Sequence, residues 1–145
     1  MYLEKLNNLL NDLDSIIKIN HGGCCYIAYL IARNCEYRNI KYQVVIRDSD
    51  IRPKDTGKYY SKIKRRAAGG IFPDDQYACN HIYIRIKGIN INPDGDYDDE
   101  HECVMNLNSK DLLWIYRMGE WNESYDTTNN SILSKFINVI CEKVL

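Results

Sequence analysis

Asn80–Pro93 reads NHIYIRIKGININP. Ile82, Ile84 and Ile86 alternate with His81, Tyr83 and Arg85, the period of two that marks a half-buried strand. Lys87-Gly88 predicts a two-residue turn, after which Ile89 and Ile91 alternate with Asn90 and Asn92. That turn pairs Ile86 with Ile89, Ile84 with Ile91 and Tyr83 with Asn92. His81 then faces Asp94, with Asn92 as its diagonal neighbour on the same polar face.

Outward from the hairpin, the period changes. Leu3, Leu6, Leu9, Leu10, Leu13, Ile16 and Ile17 recur at steps of three and four, which predicts an amphipathic helix over 2–18. Asn20-His21-Gly22-Gly23 breaks it, and a second helix is expected from Cys24 to about Tyr37. YQVVIR (42–47) has strand composition. Residues 48–77 contain KYYSKIKRR and three glycines, and read as a long basic loop or insertion. PDGDYDDEHE (93–102) reads as an acidic, turn-rich loop. Ser109-Lys110-Asp111 predicts a capped short helix through Met118, and a last helix is expected over 130–144. The pattern is α+β, in a single domain spanning 1–145.

Nineteen basic against twenty acidic residues leave a net charge of −1, so no global field draws in nucleic acid. No apolar run reaches the roughly 18 residues of a membrane span. The N-terminal stretch lacks the h-region and cleavage site of a signal peptide, so a cytoplasmic location is expected. With no secretion signal and uneven spacing, the six cysteines read as reduced thiols.

INHGGCCYIAYLIARN (19–34) carries the chemistry. Cys24, Ile27, Ala28, Ile31 and Cys35 form one stripe, with Cys25 rotated about 100° from Cys24. A thiol on the first turn of a helix meets the positive end of the dipole and unpaired N–H groups, which favour the thiolate and can hold an oxyanion. Plain packing of both cysteines in the core is the alternative. His81, with Asn92 or Asp94 on the next strand, has the form of a base and its orienter; its alternative is a surface histidine on a solvated strand. A zinc site from Cys24, Cys25, Cys79 and His81 lacks C-x-x-C spacing. Asp94–Glu102 lacks an EF-hand pattern. Lys58–Arg66 places basic residues beside tyrosines without the overall basic balance of a nucleic-acid binder. The aromatic residues from Trp114 to Trp121 read as core.

In this order of motifs the chain resembles the papain-like cysteine hydrolases and acyltransferases, in particular their transglutaminase-core and arylamine-acetyltransferase-like branches. Gly22-Gly23-Cys24-Cys25-Tyr26-Ile27-Ala28 matches their G-x-C-x-x-x-A helix start, and IKYQVVI their following strand. His81, Gly88, Asn92 and Pro93 match the family's hairpin loosely. NPDG stands where many members have DPDG. The chain looks most like small bacteriophage members, some of which carry a similar Trp121-Asn122, Tyr125-Asp126 and Asn129. The resemblance implies a papain-like fold, with a cysteine helix packed on a small antiparallel sheet between N- and C-terminal helices. It also implies a Cys24–His81–Asn92 triad, with Cys25 and Asp94 as alternatives and Asn20, His21 and Gly23 supporting the oxyanion. No cofactor or metal is implied. Expected substrates are protein or peptide amides or small acyl compounds, in a host cytoplasm if phage-encoded. The alternative is a catalytically silent fold that binds a small molecule or a host protein. Residues 48–77 are expected to border the site and select an acidic or phosphate-bearing partner.

Overall fold

A computed structural model describes residues 1–19, 23–47, 81–93, 102–118 and 127–145. Among these, the elements in chain order are α1 (Leu3–Ile17), α2 (Cys24–Tyr37), β1 (Gln43–Arg47), β2 (His81–Ile86), β3 (Ile89–Ile91), β4 (Glu102–Met105), α3 (Ser109–Met118) and α4 (Thr127–Val144). The strands form an antiparallel sheet in the order β3-β2-β1-β4. The fold class is α+β, as the changes of period predict.

The hairpin has the expected register: Ile84 pairs with Ile91 and Ile86 with Ile89. Lys87 and Gly88 both have positive φ, 49° and 78°, the signature of a type I′ turn whose twist suits antiparallel strands. An added Cβ at Gly88 meets no atom within 4 Å. Gly88→Ala is therefore expected to lower stability by about 1 kcal/mol through backbone strain alone. Urea denaturation checks this; a loss several times larger points to a clash instead.

Pairing across β1 divides the sheet into two faces. Val44, Ile46, Ile82, Ile84, Ile91, Cys103 and Met105 point one way and join the apolar residues of all four helices in one core. α2 lies at its centre and is buried on several sides, by Ile27, Ala28 and Ile31 as well as Cys25, Leu30 and Ala32. A helix apolar over most of its circumference can only be an interior one. Its one buried amide, Asn34, is satisfied by the Leu30 carbonyl at 2.8 Å and by Asn138 of α4 at 2.9 Å.

The acidic-loop reading extended too far. Glu102 opens a fourth strand, pairs with Arg47 and is buried. The start of α3 also differs in detail. Asn108 accepts from the Asp111 N–H at 2.9 Å while Asp111 accepts from the Asn108 N–H at 3.0 Å, a reciprocal cap one residue earlier than the sequence placed it. Trp114 and Tyr116 pack in or against the core, as expected. α4 begins at Thr127 rather than at 130.

α1 touches the sheet edge through Asn7. Its side-chain N–H donates to the Asn90 carbonyl at 2.7 Å, and its side-chain oxygen accepts from the Asn92 N–H at 2.7 Å.

Candidate active site

Gly23 is the N-cap of α2 and has no side chain to cap it, and the first-turn N–H groups of a helix have no intrahelical acceptor. Cys24 and Cys25 begin the helix and both are buried. They face different surroundings. The Cys25 thiol donates to the Leu112 carbonyl of α3 at 3.4 Å and belongs to the apolar core. Burial, reinforced by the neighbouring Cys24, pushes the Cys25 thiol well above its ordinary pKa. Cys24 lies outside that core cluster and has 3% of its surface exposed. The alternative of plain packing thus holds for Cys25. Burial likewise raises Cys35 and Cys141, each to about 12, leaving both protonated and inert at neutral pH.

His81 is the first residue of β2 and is 2% exposed, so it is not a surface histidine on a solvated strand. Its Nε2 lies 2.6 Å from the main-chain carbonyl oxygen of Asn92. A carbonyl only accepts, so Nε2 carries the proton, and in the neutral ring Nδ1 is the basic nitrogen. The contact joins two residues that the sequence brought together, through the main-chain carbonyl of Asn92. Asn92 leaves the extended conformation with φ +61°, and β3 ends at Ile91, so the chain swings its carbonyl toward the imidazole. Asn7 fixes that turn from the other side by accepting the Asn92 N–H.

The remaining wall was not legible as a site. His81 shares its sheet face with Tyr83 and Arg85 of β2, Arg47 of β1 and Glu102 of β4. The Tyr83 ring stacks on His81, with centroids 5.9 Å apart, and the Arg47 guanidinium lies 4.8 Å over the same tyrosine ring. Glu102 gathers the group. One carboxylate oxygen accepts from Arg47 at 2.6 and 3.1 Å and from the Tyr83 hydroxyl, while the other accepts from Arg85 at 2.9 Å. Burial alone would raise the Glu102 pKa, but the bonds from Tyr83, Arg47 and Arg85 outweigh it and hold the carboxyl below its usual range. Burial and the Glu102 contact push the Tyr83 hydroxyl upward. Once β4 is recognised, alternation alone places these residues together.

α2 packs on the opposite, isoleucine face of the sheet. A Cys24–His81 contact therefore requires the first turn of α2 to reach the end of the sheet where β2 begins, level with Arg47 and Glu102. Asn20, His21 and Asp94 lie outside the described residues, as do Cys79, residues 48–77 and Trp121 to Asp126. Among the described residues no three His, Cys, Asp or Glu side chains gather to hold a metal ion, and no helix is long and apolar enough to cross a membrane. No protein-family model, curated protein or solved structure matches the chain.

Proposed function

We propose that the chain is a papain-like cysteine acyltransferase or hydrolase, with Cys24 as nucleophile, His81 as base and Asn92 as orienter. The observation that carries this reading is the 2.6 Å contact from His81 Nε2 to the Asn92 carbonyl, which sets the tautomer a cysteine's base needs. The separation of roles between the two thiols supports it, since Cys25 is committed to Leu112. His81 Nδ1 takes the Cys24 proton as sulfur attacks the acyl carbon, and the oxyanion forms beside the N–H groups of the first turn of α2. The imidazolium then protonates the departing amine, leaving a thioester on Cys24. Water or a second amine attacks the thioester, gives its proton to His81 and releases the thiol. Protein or peptide amides and small acyl compounds remain the proposed substrates.

A second reading has an observation of its own. Cys24 and His81 are 3% and 2% exposed, a degree of closure that suits a silent fold acting as a binding module.

Two reagents separate the readings. Limiting iodoacetamide near neutral pH is expected to alkylate Cys24 ahead of the other five cysteines, as peptide mass mapping shows; uniformly slow labelling favours the silent fold. 1,3-Dibromoacetone loses one bromide to a thiolate and the second to an adjacent imidazole. A bridged Cys24–His81 peptide is expected, and single-ended alkylation of Cys24 with no bridge removes the dyad.

A further inference from the structure

The end of the sheet remote from His81 holds an open groove of about 630 Å³. It runs between the approach to β1, the β2–β3 turn and the chain that leaves β4 for α3. Arg85 lies four residues along β2 from His81, about 13 Å away, so the groove is separate from the proposed dyad.

Its lining is chemically one-sided. Lys41, Arg85 and Lys87 contribute three cations and no lining residue is acidic among the described residues, in a chain whose net charge is −1. Lys41 and Lys87 are exposed, and neither forms an ion pair among the described residues. Arg85 is held in place: its Nε donates to Asn90 at 2.7 Å and another guanidinium nitrogen to Glu102 at 2.9 Å. The Glu36 carboxylate forms no ion pair with either lysine among the described residues, and accepts from Ser109 twice, at 2.6 and 2.8 Å, and from the Tyr42 hydroxyl. That last bond also fixes the Tyr42 ring in the wall, beside the apolar Leu107.

We propose that this groove binds a nucleoside monophosphate. A dianionic phosphate sits between Lys41 and Lys87 within reach of Arg85, and the base lies against Tyr42 and Leu107. Two lysines without an ion pair among the described residues, beside an arginine already fixed by Glu102 and Asn90, suit a compact dianion better than a single carboxylate. The volume lies in the range of small-molecule sites, which run from about 300 to 1,000 Å³. A nucleic-acid strand is disfavoured, because it needs a track of positive charge longer than one groove.

The test is a titration of the intact chain with AMP, adenosine, inorganic phosphate and a single-stranded oligonucleotide, followed by backbone amide NMR. AMP is expected to saturate and to move the signals of Lys41–Gln43 and Lys87–Gly88. Adenosine and inorganic phosphate are each expected to bind at least about tenfold more weakly, a difference of about 1.4 kcal/mol. A Lys41→Glu/Lys87→Glu variant is expected to weaken AMP by a similar factor with an unchanged melting temperature, since both side chains are exposed; Lys41→Gln/Lys87→Gln serves if the first variant misfolds. Adenosine binding as well as AMP, phosphate alone binding as well as AMP, or an oligonucleotide saturating where AMP does not would each overturn the assignment.

Discussion

Glu102→Ala is expected to remove about 3–5 kcal/mol of stability, because it breaks the ion pairs that a buried carboxylate makes with Arg47 at 2.6 Å and Arg85 at 2.9 Å. For a chain of this size that corresponds to a fall of roughly 10–15 °C in melting temperature. Breaking one side of a buried pair costs more than replacing both sides with apolar residues, so Arg47→Met/Glu102→Leu is expected to be more stable than Glu102→Ala alone, as thermal unfolding of the three proteins will show. The effect depends on pH in a definite direction. The folded-state pKa of Glu102 is lowered, so its contribution is fully present above the ordinary carboxylate range and is lost as pH falls through the lower folded value. The gap between wild type and Glu102→Ala should narrow in acid. A loss under about 1 kcal/mol, the size of an exposed pair, would mean that water or another acid compensates Arg47.

His81→Ala is expected to slow acylation of Cys24 by an activated ester such as p-nitrophenyl acetate by roughly 10²–10⁴-fold at neutral pH, the usual share of a general base. Asn92 supplies a sharper test. If its carboxamide orients His81, Asn92→Gly should be almost as damaging. The observed contact uses the main-chain carbonyl, and glycine keeps both that carbonyl and the positive φ. Asn92→Gly is therefore expected to stay within about threefold of wild type, a small effect beside the loss of the base. Single-turnover release of p-nitrophenol measures both. A slow Asn92→Gly with a normal melting temperature would restore the side chain as orienter, and an unaffected His81→Ala would end the catalytic proposal.

Long periodic segments were legible in the sequence. α1, α2 and the hairpin follow from spacing alone, and the Lys87-Gly88 turn fixes the pairing to the residue. β4 was not legible, because four residues behind an acidic run show too little alternation to compete with it. Glu102 therefore looked like one more solvated acid. Its partner Arg85 alternates with the isoleucines and Arg47 ends a strand by composition; no local signal says that the two share a buried carboxylate. The main-chain route of the His81–Asn92 contact was not legible for a related reason. Cross-strand counting assumes that both strands stay extended, and Asn92 does not.

The two hydrogen bonds of Asn7 have a consequence for solubility. Among the described residues β3 is an outer strand of the sheet, and the carbonyl of Asn90 and the N–H of Asn92 are groups that a further strand would engage. The Asn7 amide offers one donor and one acceptor to these two groups, as the peptide unit of an added strand would. A single side chain from α1 thus stands in for a fifth strand and closes a short edge to templating by another chain. Removing that amide would leave β3 open to pairing between molecules, so self-association on concentration is the behaviour to watch for in variants of Asn7.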